Sequence, residues 1–539
     1  MKKLILTNLL LVVSAVFAFA NTNSKAVEYF NFGLNKAAKN MLLENVNSGT
    51  QTLQELSEAY YYLGEIAFAE HNRVDAEQYY KKGEEADPTN IFNKIGLVKL
   101  DLKINAAVAE KSLAALVKIN KKDMLAQVAA VRAYIDNRLF DKAQQQIAAA
   151  KKVNAKYAPL FVAEGDLLAQ KNEIGEAGNR YETAILFDKN CKEAYVKYAR
   201  FFTKLNPTAA IEKLTELLAL DENSPLTYRE LGEVYYQNSR YTDAANAYEK
   251  YVKNDKYSVN DLSKYAIILY SKGTKEDYEK SLEIINSALK YEPDNKLLNR
   301  LYVYNKAELK DSLALDYSND FLKLPNVNFV AQDYIYNARL LNAKGLKDEA
   351  VAQYEKALQI DTANTEIYKE LSNVYYLNRQ YPQAIENYKK FIQKSDNTNT
   401  TANVNFSLVL GQYCYVAAYA DSTTRQIYCA EGDTALAYVI EMAPRTYLGY
   451  FWRARIQNLL DPESKLGLAK PYYEAAAEIL AQDPAKNSKN LIECYRSLGA
   501  YYFEQKDYKT TKSFQEKILE LNPTDENAIE ALNMMKNVK

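Results

Sequence analysis

The side chains that most often perform chemistry are scarce in this chain of 539 residues. The single histidine, His71, stands in the segment EHNRVDA, which is typical of a turn between helices. A nucleophile activated by histidine would therefore have to be built around that turn. The chain has no CxxC pair, no HExxH motif and no Walker-type phosphate loop. The sequence predicts a protein without enzymatic activity, metal or cofactor; a hydrolase built on paired carboxylates is the remaining enzymatic alternative.

The cysteines offer one further piece of chemistry. Cys414 and Cys429 flank a long turn and lie 15 positions apart. In an oxidising compartment such a pair could close a loop across a helical hairpin and contribute ~3 kcal/mol. The alternative is two buried free thiols, since both lie among apolar residues. We predict the disulfide, and we expect Cys191 and Cys494 to be unpaired because they are far apart in the chain.

Tyrosine is the abundant residue with functional potential, with 46 copies against 1 tryptophan. In the stretch ELGEVYYQNSRYTDAANAYEKY, residues 230–251, tyrosines and alanines fall at helical spacing. Such residues could form a binding site, or they could fill the seam between packed helices. The rest of the chain helps to choose between these two interpretations, because the stretch recurs.

A small residue recurs along the chain with a period near 34 residues, which indicates one helical hairpin per repeat. It occupies Gly64, Gly96, Val131, Gly165, Ala199, Gly232, Ala266, Ala338, Ser372, Gly411, Ala454 and Gly499. In the better repeats an alanine follows twelve positions later and a large residue four positions after that, at Ala76 and Tyr80, Ala143 and Ile147, Ala177 and Tyr181, Ala244 and Tyr248, Ala350 and Tyr354, and Ala384 and Tyr388. Two helices cross closely only over small side chains, so most tyrosines are predicted to belong to a seam.

Composition agrees with an all-helical chain and excludes some classes of partner. Glycine and proline number only 16 and 12, too few for a chain rich in turns. Lysine and arginine total 68 against 69 acidic residues, and no long basic run appears. A phosphate-binding surface needs clustered positive charge, so nucleic acid is not an expected partner.

These repeats resemble the tetratricopeptide repeat (TPR). In LGEVYYQNSRYTDAANAYEKYV, the residues Leu231, Gly232, Tyr235, Ala244 and Tyr248 stand where that family has Leu-Gly, Tyr, Ala and an aromatic residue. ELSNVYYLNRQYPQAIENYKKF is a second strong match, and the segment WRAR…DP…GLAKPYYE is similar to exported TPR proteins of Gram-negative bacteria. The resemblance implies an all-α, right-handed superhelical solenoid of about 13 antiparallel hairpins, stacked on a continuous core.

The pattern also divides the chain into segments. We predict a signal peptide over 1–20, a helical cap or short hairpin over 21–50, and a TPR array over 51–394. A polar loop or hinge is expected at 395–405, followed by longer, irregular TPR-like hairpins at 406–524 and a capping helix at 525–539.

In TPR proteins the first helix of each hairpin lines the concave face, where ligands usually lie. The candidate binding residues carried over on this basis are Arg229, Glu233, Tyr236, Arg339, Asn342, Lys369, Asn373, Tyr376, Gln412, Tyr415, Arg455 and Arg496. Arginine and tyrosine both suit protein recognition. Lys369 and Asn373 match the first pair of the clamp that grips a C-terminal carboxylate in chaperone adaptors, but Val409 replaces its next Asn, so such capture is not predicted.

The N-terminus predicts export. Lys2 and Lys3 precede an apolar run that ends in Ala18-Phe19-Ala20, the small-x-small pattern of a cleavage site. We expect cleavage after Ala20, no membrane-spanning segment in the mature chain and a periplasmic location. The predicted function is a non-enzymatic scaffold for protein assembly in the bacterial envelope. The alternative is a glycan-binding protein of the SusD kind at the cell surface, although such proteins would be expected to show a lipobox cysteine and tryptophan platforms.

Overall fold

The computed structural model describes residues 21–253, 257–395 and 399–535. In these ranges the chain forms 29 α-helices and no β-strand, which confirms the all-α prediction. It divides into two compact units, the first ending at Asn305 and the second beginning at Lys306. The predicted signal peptide, residues 1–20, lies outside the described residues.

The helices follow one another with short connections. The first sixteen are α1 Ser24–Asn31, α2 Asn35–Ser48, α3 Leu53–Ala69, α4 Arg73–Ala86, α5 Ile91–Asp101, α6 Ala106–Ile119, α7 Met124–Asp136, α8 Phe140–Lys151, α9 Ala158–Gln170, α10 Ile174–Phe187, α11 Lys192–Phe202, α12 Pro207–Leu220, α13 Pro225–Gln237, α14 Tyr241–Val252, α15 Val259–Lys272 and α16 Lys275–Leu289. The remainder are α17 Lys296–Glu308, α18 Ala314–Phe321, α19 Ala331–Ala343, α20 Lys347–Ile360, α21 Thr365–Leu377, α22 Tyr381–Lys394, α23 Thr400–Ala420, α24 Arg425–Met442, α25 Tyr447–Leu460, α26 Lys470–Leu480, α27 Pro484–Glu504, α28 Tyr508–Leu521 and α29 Glu526–Met535.

Neighbouring helices pack as hairpins. In the described part of the chain, α1 to α16 pair into eight hairpins and α19 to α28 into five, in agreement with the predicted number. The short α18, of eight residues, lies in the interval between Ala266 and Ala338, where the series of small residues lacks one member. Pro88, Pro293 and Pro523 each lie shortly after the second helix of a hairpin has ended.

The seam between hairpins is built as the repeat predicts. The ring of Tyr80, on α4, is fully buried between two glycines, Gly64 on α3 and Gly96 on α5. A Cβ atom on Gly64 would lie 2.3 Å from this ring, and one on Gly96 would lie 2.4 Å from it. The same arrangement recurs where Tyr181 packs on Gly165 and Tyr248 packs on Gly232. These tyrosines fill the space that the missing side chains leave, so they are packing residues.

The turn between the two helices of a hairpin repeats as well. A residue with positive φ ends the first helix at His71, Arg138, Asn172, Ser239, Arg379 and Lys506, and at Gly273 and Gly345. At His71 the φ is 60°, and the backbone N–H donates to the carbonyl of Phe68 at 3.0 Å. The histidine therefore ends a helix in an exposed turn, as predicted.

The polar segment 395–405 differs from its prediction. The helix α22 ends at Lys394, and α23 already begins at Thr400, so the second half of the predicted loop is helical. Asn399 caps α23 by accepting a hydrogen bond from the backbone N–H of Ala402 at 3.2 Å. Because asparagine and threonine are favoured at helix starts as well as in loops, their abundance here indicated a boundary and not the length of the connection.

The predicted disulfide is not formed. Cys414 and Cys429 are both buried free thiols on the paired helices α23 and α24. Cys414 packs with Ile385 of α22, whereas the thiol of Cys429 faces the carbonyl oxygen of Ile456 on α25 at 3.8 Å. The two side chains serve different seams, and burial raises the pKa of the Cys429 thiol to about 11. Cys191 and Cys494 are also free.

The long turn between α25 and α26 is organised by one carboxylate. Asp461 is 6% exposed and accepts hydrogen bonds from the backbone N–H groups of Lys465 at 3.0 Å, Leu466 at 3.0 Å and Gly467 at 2.8 Å. We expect Asp461→Ala to lower the free energy of unfolding by ~2 kcal/mol, because it leaves several N–H groups without an acceptor. Amide hydrogen exchange at residues 465–467 should accelerate, whereas the exposed Glu463→Ala should leave it unchanged. Unchanged protection in Asp461→Ala would contradict this account of the turn.

Candidate functional site

The first helices of successive hairpins enclose a cavity in the first unit. Its volume is about 970 Å³, and its lining comes from α3, α5, α7, α9 and α11, together with the end of α1 and the start of α2. The N-terminal hairpin reaches this cavity because it contacts α11, far away in the sequence. Glu28 and Lys192 pair at 2.6 Å, and the guanidinium of Arg200 donates to the carbonyl of Phe32.

One wall of the cavity is aromatic. Phe30 of α1 meets Tyr62 of α3 edge to face, with ring centroids 5.2 Å apart. Tyr61 contacts Tyr62 at 5.2 Å and Phe92 of α5 at 5.5 Å, so four rings form a continuous row. Aromatic rows of this kind offer a large, rigid contact area at a low cost in conformational entropy.

A ladder of charged groups links adjacent repeats along the same helices. Glu65 follows the small residue of its repeat and accepts a hydrogen bond from the seam residue Tyr80 at 2.6 Å. Lys99, on the next first helix, pairs with Glu65 at 2.9 Å and with Asp136 at 2.6 Å. Two further repeats also combine a tyrosine, a carboxylate and a lysine, in the sets Tyr181, Asp166 and Lys197, and Tyr248, Glu233 and Lys264.

The lining of the cavity includes a second ionic cluster. Arg132 makes two hydrogen bonds of 2.8 Å to the carboxylate of Glu193, which also pairs with Lys197 at 3.1 Å. Burial acts to raise the pKa of Glu193, but the two cations outweigh it and the pKa is lowered; Glu193 in turn raises the pKa of Arg132. All three side chains are therefore charged at neutral pH, and their charges are already paired.

Tyr61 and Tyr62 differ from the seam tyrosines. Within the described part of the chain, neither hydroxyl has a hydrogen-bond partner, whereas Tyr80, Tyr181 and Tyr248 each donate to a carboxylate. Burial raises the pKa of both Tyr61 and Tyr62, so both hydroxyls keep their proton. The cavity thus presents two phenol groups that are able to donate to a ligand.

Three of the predicted binding residues lie in this unit, on α13. Arg229 is bound to Asp261 and to Glu230, at 3.0 Å in each case. Glu233 belongs to the charge ladder, and Tyr236 lies below the ammonium group of Lys264 at 4.5 Å. All three occupy a first helix, as predicted, but they are not among the residues that line the cavity.

The other predicted residues lie on the first helices of the second unit. They are Arg339 and Asn342 on α19, Lys369, Asn373 and Tyr376 on α21, Gln412 and Tyr415 on α23, Arg455 on α25, and Arg496 on α27. Some of these side chains pack against neighbouring aromatic rings of the protein. Tyr376 stacks on Tyr413 at 4.4 Å, and Arg455 lies over the Trp452 ring at 4.5 Å.

The arginines of this set are held by carboxylates. Arg339 binds Glu370, Arg455 makes hydrogen bonds of 2.7 and 2.6 Å to Glu493, and Arg496 binds Asp525 at 2.9 Å. Lys369 pairs with Glu366 at 3.1 Å, while Asn373 is exposed. A role for these residues in binding stays a prediction.

The cavity in the first unit was not predicted from the sequence, because the candidate residues were taken from the repeats that match the TPR pattern best. Tyr61 and Tyr62 stand just before Leu63 and Gly64, in AYYYLG, where they resemble further seam residues. One sequence feature could have pointed to the cavity: Glu65 and Asp166, which both line it, each directly follow a repeat glycine. In the described residues, the structure places no group of three or more His, Cys, Asp or Glu where it could hold a metal ion.

A sequence profile of the tetratricopeptide repeat matches residues 200–259, which include α13 and α14. No curated protein is significantly similar to the chain. Over the described ranges, no helix combines the length and the apolar character needed to cross a bilayer.

Several solved structures are similar to parts of this chain. The C-terminal part of a TPR repeat-containing protein from Cytophaga hutchinsonii is 28% identical, over 50% of this chain and 99% of its own, with a TM-score of 0.40. PilF of Pseudomonas aeruginosa is 16% identical over 48% of this chain and 100% of its own, with a TM-score of 0.29. PilW, a type IV pilus biogenesis factor, is 18% identical over 45% and 96%, with a TM-score of 0.31.

Proposed function

Because this chain is a tetratricopeptide-repeat protein, we propose that it is a non-enzymatic scaffold that binds a partner protein in the cavity of its first unit. The observation that carries the proposal is the row of Phe30, Tyr62, Tyr61 and Phe92 beside two phenol hydroxyls without protein partners among the described residues. Aromatic residues are enriched where protein interfaces gain most of their binding energy. A cavity of about 970 Å³ is at the upper end of the usual range for ligand pockets, which suits a peptide segment.

The architecture supports binding over catalysis. Most cations and carboxylates of the cavity are held in pairs, as in Arg132 with Glu193 and Lys99 with Glu65. A general acid or base must contact the substrate with which it exchanges a proton, whereas these groups are bound to each other. Packed hairpins form a rigid frame, so a partner segment would meet a preorganised surface.

The proposal includes export and action in the bacterial cell envelope. Its support is the sequence of residues 1–20, with Lys2 and Lys3 before an apolar run and a small-x-small end. The described structure begins directly after this segment with the hairpin α1–α2, which supplies Phe30 to the cavity. Cleavage after Ala20 would therefore leave the cavity intact.

Cross-linking of the full-length chain in its own cells, followed by affinity capture and mass spectrometry, tests the proposal. We expect a reproducible protein partner whose yield falls ~10-fold or more in the double variant Tyr61→Ala, Tyr62→Ala, because hot-spot aromatic residues contribute about 2 kcal/mol or more each. Tyr291→Ala is the matched control, since Tyr291 is 78% exposed in the same unit and does not line the cavity. Equal yields from both variants would refute the cavity as the binding site, and glycan binding without a protein partner would favour the SusD-like alternative.

A further inference from the structure

We propose that the cavity selects an extended, uncharged peptide segment with proline, aromatic or aliphatic side chains. This inference rests on the proposed function and specifies the chemistry of the partner. The inference depends on two sets of lining residues. Some already have ion-pair or hydrogen-bond partners within the protein, and others are able to bond to a ligand.

The charged groups of the cavity are largely engaged. Lys99 is bound to Glu65 and Asp136, and Lys197 is bound to Asp166 and Glu193. A charged ligand would have to break such a pair and leave one member without its partner, which is costly in a partly buried site. Charged side chains of an acidic or basic segment would therefore add little to its affinity for the cavity.

Two further cations of the lining, one on α7 and one on α11, are engaged as well. Arg132 is bound to Glu193. Arg200 makes two hydrogen bonds of 2.7 Å to Glu230 and also donates to the carbonyl of Phe32. These bonds hold the hairpin that supplies Phe30, so a ligand that captured Arg200 would weaken the aromatic wall of its own site.

Two charged lining residues lie outside these pairs. Glu58 accepts hydrogen bonds from the side chains of Asn21, at 2.7 Å, and Asn23, at 3.1 Å. Arg138 is exposed in the turn between α7 and α8, with no ion pair among the described residues. A single arginine in an exposed turn is not a charge cluster, but it provides a direct control for charge-driven binding.

Apart from Arg138, the lining groups left to a ligand are neutral. The hydroxyls of Tyr61 and Tyr62 have no hydrogen-bond partner in the described part of the chain, nor do the side-chain amides of Asn31, Asn35 and Gln170, which also line the cavity. Hydroxyl and amide groups pair well with peptide N–H and C=O groups without requiring charge. They suit a peptide main chain whose own hydrogen bonds are not satisfied by a helix.

The side chains of the segment would meet apolar surfaces. The row of four rings adjoins the cavity, and α7 adds Leu125, Val128 and Ala129 to its lining. Grooves lined by aromatic rings bind proline-rich segments well, because the extended polyproline conformation is preformed and loses little entropy on binding. Aromatic and aliphatic side chains would gain from the same surface by the hydrophobic effect.

A displayed library of random linear peptides, selected on the full chain and counter-selected on Tyr61→Ala, Tyr62→Ala, tests this inference. We expect the selected peptides to be depleted in Asp, Glu, Lys and Arg and enriched in Pro, Phe, Tyr, Trp and Leu. Their affinity should change less than ~2-fold between low and high salt, because screening acts only on charges. Arg138→Gln should leave the affinity unchanged.

The outcomes separate this inference from the function on which it rests. If the selected peptides are mainly charged, or if high salt or Arg138→Gln lowers their affinity ~10-fold, the uncharged specificity is wrong while the cavity remains a binding site. If no peptide distinguishes the wild type from the double alanine variant, both proposals fail. Tyr61→Phe, Tyr62→Phe keeps the rings and removes only the hydroxyls; if the hydroxyls bind the peptide main chain, it should weaken binding ~10-fold, and unchanged affinity would contradict that part of the inference.

Discussion

Gly64→Ala is expected to lower the free energy of unfolding of the first unit by ~2–3 kcal/mol, the usual cost of forcing extra atoms into a packed core. The new Cβ atom would lie 2.3 Å from the ring of Tyr80. The ring cannot yield, because Gly96 of the next hairpin lies against its other side, where even a Cβ atom would come within 2.4 Å of it. Chemical denaturation of the full chain measures this change. The unfolding transition that includes the first unit should shift to a lower denaturant concentration.

Two variants serve as controls for this prediction. Gly175→Ala is also in a helix but would meet no atom within 4 Å, so it should be neutral or stabilise by up to ~1 kcal/mol, as alanine does in an open helical position. The chain itself suggests a compensating pair, because one repeat has Val131 and Ile147 at the positions of Gly64 and Tyr80. Gly64→Val with Tyr80→Ile should therefore recover part of the lost stability. Wild-type stability in Gly64→Ala would show that the seam is looser than the structure implies.

Lys99→Met is expected to have the largest effect, a loss of ~3 kcal/mol, because it removes a buried cation that neutralises the partly buried carboxylate of Glu65. The side chain of Lys99 is 3% exposed, and its ammonium group lies 2.9 Å from Glu65 and 2.6 Å from Asp136. Without it, two carboxylates face each other beside the hydroxyl of Tyr80. Lys142→Met is the matched control, since Lys142 pairs with Glu110 at the surface and such pairs contribute ~0–1 kcal/mol.

The effect of Lys99→Met should depend on pH in a defined direction. Burial acts to lower the pKa of Lys99, but Glu65 and Asp136 outweigh it and raise the pKa above its ordinary value. The stabilisation by Lys99 is therefore complete below about pH 10 and is lost as the pH rises through the raised folded-state pKa. Denaturation of wild type and variant from about pH 7 to 11 measures this trend, and a deficit independent of pH would contradict the ionic origin.

The hairpins and their seams were predictable from the sequence because their physics is local and periodic. A small residue at the crossing and a large residue sixteen positions later encode a contact within one hairpin, as in Gly232 and Tyr248. Burial of Ala76 and Ala244 follows from the same spacing. Each repeat carries this information independently, so a misinterpreted repeat does not change the fold predicted for the others.

The cavity was not predictable in this way because it depends on contacts between distant repeats. The pairing of Glu28 with Lys192 joins residues 164 positions apart, and no local period encodes it. The disulfide failed for a related reason. Spacing placed Cys414 and Cys429 on paired helices but could not determine that the Cys429 thiol faces α25.

The most direct test of the central claim, that the first-unit cavity binds a protein segment, is photo-cross-linking in living cells from a benzoyl-phenylalanine placed at position 62. The same group at position 291, on the exposed surface of that unit, is the control. We predict a discrete protein adduct from position 62 that is absent from position 291, with the cross-link on the partner mapping to an extended, uncharged segment. Adducts that are absent at position 62, or equal at both positions, would contradict the account.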